Sequence, residues 1–265
     1  MPHQRFESFG VHLNFVSDDT NLLKEATDYA RSSLLGHFRL LDNGHDDLTF
    51  ELRRSGRNYL LDRNGVEVSR GPTRKTFLKY FEAVVRLSVA EFSPDLVFLH
   101  AGCVSWRGRG LVLPANSFQG KSTLVSELVR AGAEYYSDDF AILDQKGRVH
   151  PFARKISMRT REAKYSQYEL DPISFGGVIG HRPVPVGMVF LTTFRPRSHW
   201  KPRIFTRGEG ILHTVPFTLP MNRAPERSLK ALKRLAQNAI IATSDRGDAR
   251  RTAKLLLNFF DLNVK

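Results

Sequence analysis

The strongest constraint on this chain is a junction. A short apolar run, Leu111-Val112-Leu113-Pro114, leads into Ala115-Asn116-Ser117-Phe118-Gln119-Gly120-Lys121-Ser122, and an amphipathic helix begins there with Thr123-Leu124 behind it. The stretch matches G-x-x-x-x-G-K-[ST], except that Ala115 stands at the first glycine position. A loop of this kind wraps backbone N–H groups around a phosphate and aims a helix N-terminus at it. It therefore demands a buried strand in front and a helix behind, which places the segment in an α/β core. Gly120 lets the backbone come close to the phosphate, Lys121 reaches the β- and γ-phosphates, and Ser122 is placed to ligate Mg²⁺. The expected nucleotide-binding residues are thus Ala115, Asn116, Ser117, Phe118, Gln119, Gly120, Lys121, Ser122 and Thr123, with ATP and Mg²⁺ as cofactors. If the first position requires a positive φ, Ala115 is strained there.

A second feature supports the first. Asp138-Asp139 follow Lys121 by 17 and 18 residues, at the end of the short run Glu134-Tyr135-Tyr136-Ser137. Phosphoryl transfer needs a metal ion to neutralise the phosphates and, for a hydroxyl acceptor, a carboxylate to take the proton. Adjacent carboxylates on an otherwise buried element repel each other unless a cation lies nearby, and a metal–nucleotide site supplies one. The competing reading is a loop with two solvated acids.

Around this centre the pattern of elements divides the chain. Residues 8–16 alternate apolar and polar, which predicts one half-buried strand. Leu22, Leu23, Ala26, Tyr29, Ala30 and Leu34 have helical spacing over residues 21–35, stopped by Gly36. Strands are expected near 47–54, 57–62 and 65–70, separated by the turn dipeptides Ser55-Gly56 and Asn64-Gly65. A helix over 72–91, opened by Pro72, is expected to carry Phe77, Tyr80, Phe81, Val84, Val85, Leu87 and Val89 on or near its buried face. Nothing in this first third has the spacing of a catalytic site. After Ser93-Pro94-Asp95, Leu96 to Val104 is almost continuously apolar and predicts a buried strand. A helix near 120–131 has Gly132 in its C′ position. Another buried strand is expected at 186–194, and amphipathic helices near 225–237 and 247–260. The expected organisation is a small N-terminal α+β domain, residues 1–92, followed by an α/β domain, residues 93–265.

Composition bounds the partners. The chain has 265 residues and a formal net charge of +13. The first 150 residues carry 19 Lys and Arg and 19 Asp and Glu, so the whole excess falls after residue 150. Such a surface attracts phosphates, nucleic acid or an acidic partner, or serves as a solvated basic face. The single cysteine, Cys103, rules out an intramolecular disulfide and fits a reducing, cytoplasmic compartment. The first residues lack the apolar stretch of a signal peptide. No apolar run is long enough to span a bilayer, so no membrane partner is expected.

Leu99-His100-Ala101-Gly102, Leu111-Val112-Leu113-Pro114, the phosphate loop and Tyr136-Ser137-Asp138-Asp139 together resemble the C-terminal kinase domain of HPr kinase/phosphorylase. The resemblance is closer to the bacterial HPr-kinase-like proteins, and its specific part covers about residues 96–160. It implies a P-loop kinase core in residues 93–265. It also implies roles. Lys121 and Ser122 would bind phosphate and Mg²⁺. Asp138 would be the general base toward an acceptor hydroxyl, and Asp139 would assist the metal. His100 would tune the protonation of Asp138; on its own, a histidine in an apolar strand is more often a satisfied core residue. HPr kinases assemble into oligomers, so a homo-oligomer is implied as well. One departure counts against HPr itself as the substrate. Where those enzymes carry a glycine-rich signature with a nearby Glu, this chain reads His150-Pro151-Phe152-Ala153-Arg154-Lys155-Ile156-Ser157-Met158-Arg159. Arg154, Lys155 and Arg159 are candidates to clamp nucleotide phosphates or an acidic acceptor or to form a solvated basic loop, and Glu162 could compensate for the missing Glu.

The leading expectation is an ATP-dependent kinase acting on a hydroxyl of a protein, peptide or small molecule. The alternatives are a catalytically weak ATP-binding regulatory protein, which Ala115 and the missing Glu favour, and a basic nucleic-acid-binding protein.

Overall fold

The computed structural model describes residues 1–116, 119–159 and 167–264. The chain is a mixed α/β protein that divides into two compact units, Met1–Asp95 and Leu96–Lys265.

The first unit runs β1 (His3–Ser8), β2 (Val11–Ser17), α1 (Thr20–Ser33), β3 (Arg39–Leu41), β4 (Leu48–Ser55), β5 (Asn58–Arg63), β6 (Val66–Gly71) and α2 (Arg74–Phe92). The strands form one sheet in the order β3-β1-β2-β4-β5-β6. The β2–β4 pair is parallel and the other pairs are antiparallel. Both helices start on side-chain caps: Asp19 accepts the Leu22 N–H and Thr73 accepts the Thr76 N–H, each satisfying one of the orphan donors of a first turn. Alternation along β2 and β4 sends Leu13, Phe15, Leu48, Phe50 and Leu52 into a single core with Leu22, Ala26, Phe77, Phe81 and Val85 from the helices. Phe15 packs edge-on against Phe50 and Phe81. Burying each such ring contributes about 1.5–3 kcal/mol.

Two expectations need correction here. Residues 8–16 do not form one strand, because the chain reverses at Phe9 (φ 50°) and Gly10 (φ 78°). Two successive positive-φ residues are the signature of a tight hairpin turn, and the alternating pattern runs through it without a break. In α2, Tyr80 is 47% and Leu87 46% exposed, while Leu78, Ser88 and Ala90 are buried. The stripe that faces the sheet follows Phe77, Phe81, Val85 and Val89, as a 3.6-residue period requires.

The second unit runs β7 (Val97–Trp106), β8 (Arg109–Pro114), α3 (Lys121–Arg130), β9 (Glu134–Ser137), β10 (Phe140–Leu143), β11 (Arg148–His150), β12 (Ile156–Arg159), β13 (Gln167–Leu170), β14 (Val184–Phe194), β15 (Arg203–Ile204), α4 (Arg207–Thr214), α5 (Pro225–Asn238), β16 (Ile240–Arg246) and α6 (Ala249–Asn263). Its main sheet has the order β11-β10-β7-β8-β14-β16-β15, and β9 also pairs with β7. Because β11 pairs with β14 as well as with β10, the strands β10, β7, β8, β14 and β11 close into a ring. The β8–β14 and β14–β16 pairs are parallel.

The continuous apolar run of β8 is explained by burial on both faces. Leu111 and Leu113 pack with Leu124, Val125 and Leu128 of α3 and Leu256, Leu257 and Phe260 of α6. Val112 faces the other way, toward Leu99, Val189 and Leu232 and Leu235 of α5. The strand β16, which lies between α5 and α6, and the helix α4 extend the expected set of elements. Among the described residues, no helix is long and apolar enough to cross a membrane.

Candidate active site

The strand β8 ends at Pro114 and the chain reaches α3 through the loop. Ser117 and Phe118 lie outside the described residues. Gly120 is the N-cap of α3 and adopts a left-handed conformation, φ 71° and ψ 26°, which only glycine takes at little cost. It brings no capping side chain, and the first turn of α3 carries no acid. The N–H groups there are thus open to an anion, and the helix dipole favours one. Ala115 is buried and does not have a positive φ, so replacing glycine at that position introduces no backbone strain.

Lys121 begins α3 and its stem passes over Gly102 of β7. A Cβ at Gly102 would lie 2.5 Å from Val125 Cγ2 and 3.3 Å from Lys121 Cγ. The missing side chain is what allows α3 to settle on the strand. From there Lys121 Nζ comes within 3.3 Å of His100 Nε2. Burial, and then the neighbouring Lys121, pull the His100 imidazole below its ordinary range, against an opposing pull from Asp139. Burial also lowers Lys121, against the raising effect of Asp138 and Asp139. His100 is therefore a neutral partner of the lysine.

The aspartate pair sits at an interruption in the strand opposite β7. Ser137, at the end of β9, pairs with Cys103, and Phe140, at the start of β10, pairs with His100. Asp138 and Asp139 fill the gap between them, where the Asp139 carbonyl accepts the Ala101 N–H. The Ser137 hydroxyl fixes the turn by accepting the N–H groups of Asp139 and Phe140. Asp138 turns inward and is 8% exposed. Its Oδ2 accepts the Ser122 hydroxyl at 2.8 Å and the Ser157 N–H at 3.3 Å. Its Oδ1 is buried with no hydrogen-bond partner among the described residues. Desolvation pushes the carboxyl up to about 7, and Asp139 adds to the rise, while Lys121 and the hydrogen bonds from Ser122 and Ser157 oppose it. Asp139 is more open and pairs with Arg154 at 3.0 Å.

Of the candidate residues, the fold brings Lys121, Ser122, His100, Asp138, Asp139 and Arg154 to one place. Ser122 bonds Asp138 rather than Asp139. Lys155 is exposed, the side chain of Arg159 is not among those described, and Glu162 lies outside the described residues. Arg246, at the end of β16, belongs to the site although the sequence reading passed over it. Its Nη2 donates to the carbonyls of Gln119 (2.8 Å) and Gly120 (2.7 Å), and a Cβ at Gly120 would collide with it at 2.5 Å. The signal was present in the strand-like run Ile240-Ile241-Ala242-Thr243, rich in β-branched residues and followed after Ser244 by the charged pair Asp245-Arg246.

The group implied by the loop fits these residues on structural grounds. The open helix N-terminus, the left-handed glycine and the orphaned Asp138 oxygen are what a phosphate, its metal ion and a proton-donating acceptor would satisfy. No protein-family model matches this chain, and no curated protein matches it. Among solved structures, it aligns with the Hpr(Ser) kinase/phosphatase from Coxiella burnetii at 12% identity and a TM-score of 0.36, covering 62% of this chain and 96% of that one. At that level the overlap settles neither fold nor function.

Proposed function

We propose that the chain is an ATP-dependent phosphotransferase of HPr-kinase-like type, with residues 93–265 as its catalytic domain and residues 1–92 as a small accessory domain. The observation that carries this reading is the orphaned Oδ1 of Asp138, on a carboxyl held near 7 beside a lysine and an uncapped helix N-terminus. A general base works best with a pKa near the operating pH, and Asp138 meets that condition.

The α3 N-terminus and Lys121 bind the phosphates. Neutral His100 receives the lysine and keeps it pointed into the site. Ser122, with a carboxylate from the aspartate pair, would hold Mg²⁺, which would neutralise charge on the transferring group. Asp138 Oδ1 takes the proton of the acceptor hydroxyl as its oxygen bonds to the γ-phosphorus. The bond from that phosphorus to the β,γ-bridging oxygen breaks, and ADP leaves. Arg154 neutralises Asp139 and is close enough to meet an acidic acceptor or a phosphate as that pairing changes. The acceptor is a hydroxyl on a protein, peptide or small molecule, and the compartment is the cytoplasm.

Transfer of γ-labelled phosphate from ATP into host-cell extract tests this, with Asp138→Asn beside the wild type. The amide keeps the shape but cannot take a proton, so labelling should fall by about 10²–10⁴-fold, the usual worth of a general base, while ATP binding persists. Equal labelling would remove Asp138 from this role.

A further inference from the structure

The polar face of the first unit carries a cluster unrelated to the phosphate loop. Parallel pairing aligns Leu13 with Leu48, so His12 on β2 and Asp47, just before β4, stand side by side. Their backbones interlock: the Asp47 N–H donates to the His12 carbonyl at 2.9 Å, and the His12 N–H donates to Asp47 Oδ2 at 2.8 Å. The carboxylate is thereby held in place. His12 Nδ1 lies 3.3 Å from Asp47 Oδ2, and His45 Nε2 lies 3.4 Å from Asp47 Oδ1. The two imidazoles meet edge to face, with centroids 4.5 Å apart, and one ligand atom from each of the three residues falls within 4.8 Å of the others.

The neighbouring acids are already matched. Asp46 accepts two bonds from Arg5 and one from Asn14. Glu7 accepts the Gly10 N–H and a bond from Arg39. Among the described residues, no lysine or arginine pairs with Asp47; its only side-chain partners are the two histidines. A carboxylate faced by two imidazoles and, among the described residues, no fixed cation is a group of side chains able to ligate a metal ion.

We propose that His12, His45 and Asp47 form a zinc site on this face, with the remaining coordination position open to water or to a donor from a bound molecule. Tetrahedral zinc with nitrogen and oxygen ligands at about 2.0–2.2 Å spaces those ligand atoms about 3.3–3.5 Å apart. Each imidazole already stands at that spacing from one oxygen of the carboxylate, His12 from Oδ2 and His45 from Oδ1, so one ring must turn for both to meet a metal on a single oxygen. His45 is 72% exposed at its side chain, so its ring is free to turn and close the remaining gap to His12. Imidazole with carboxylate is a donor set that suits zinc. The open position follows from three protein ligands, the pattern of zinc sites that engage a further molecule rather than serve only as a clasp. Bound metal also ties the turn at residues 42–47 to β2.

The test uses the full chain without an affinity tag, stripped by chelator. Titration with ZnCl₂ should give one zinc per chain dependent on this cluster, and CoCl₂ should give the visible absorption of four-coordinate cobalt, displaced by zinc. His45→Ala, at an exposed position, should weaken that binding by at least about tenfold, the smallest loss usual even for a residue that merely supports a ligand. Asp47→Asn, which keeps an acceptor for the His12 N–H, should abolish it. His181→Ala, an exposed histidine of the other unit, should leave it unchanged. Absence of binding, binding unaltered by His45→Ala, or an equal loss in His181→Ala would each overturn the assignment. A metal at Asp138 and Asp139 would survive His45→Ala, so the two sites are told apart by the fraction lost.

Discussion

Asp62 in the first unit and Asp138 in the second are almost equally buried, at 6% and 8% exposure, and each has a buried Oδ1 without a hydrogen-bond partner among the described residues, yet their Oδ2 atoms are met by opposite kinds of donor. Asp62 Oδ2 receives both Nε (2.9 Å) and Nη2 (2.6 Å) of Arg53. That charge is matched by a dedicated cation. Among the described residues, Asp138 has only neutral donors within hydrogen-bond reach, the Ser122 hydroxyl and the Ser157 N–H, and the nearby ammonium of Lys121 is turned to His100. The first arrangement completes a fold. The second leaves a carboxyl whose charge is costly until something else arrives, and that is the condition of a group kept for chemistry.

The sharpest way to break this comparison is pH. The folded state raises Asp138 from 3.8 to about 7, so folding favours its protonated form. Its stabilising contribution is complete below about pH 4 and is lost as pH rises to about 7. The loss is no more than about 4 kcal/mol for a shift of this size. Asp138→Asn should therefore raise the melting temperature at pH 8 and change it little at pH 4.5. Asp62→Asn should lower it at both, because it uncouples Arg53. Thermal melts across that range that shift alike for the two variants would erase the distinction.

A smaller effect probes the ligand. ATP at one hundred times its dissociation constant should stabilise the wild type by about 2.7 kcal/mol. Lys121→Ala should remove most of that shift in a thermal melt. An unchanged shift would place the nucleotide elsewhere.

The smallest contrast lies between two glycines. Gly102→Ala forces a Cβ to within 2.5 Å of Val125 and should cost about 1–3 kcal/mol by overpacking, with weaker ATP binding because Lys121 shares the contact. Gly65→Ala meets open space but keeps φ 79°, so it should cost about 1 kcal/mol through backbone strain alone and leave ATP binding intact. Denaturant midpoints and ATP titrations on both variants read the two effects separately.

Much of this was legible in residue order. The strand–loop–helix junction at Gly120 and the expected turn at Asn64-Gly65 rest on local chemistry that leaves a local mark. The hairpin at Phe9-Gly10 was hidden because its alternation continues through the turn, and a phenylalanine at positive φ gives no warning. The pairing of Ser122 with Asp138 rather than Asp139 depends on which carboxylate the Ser137 turn sends inward, a matter of one residue in register. Arg246 was passed over because its partners are backbone carbonyls 126 and 127 residues earlier in the chain. His12, His45 and Asp47 meet through the register of two parallel strands, which no spacing rule encodes.

The bond from Arg246 to the Gly120 carbonyl has a consequence in time. A ribosome that has made the phosphate loop must add 126 more residues before the side chain that holds its carbonyls exists. At about 5–20 residues per second, roughly 6–25 s separate the loop from its tether. A nascent chain therefore carries the loop long before Arg246 can hold it, and β16 decides when the proposed nucleotide site is finished.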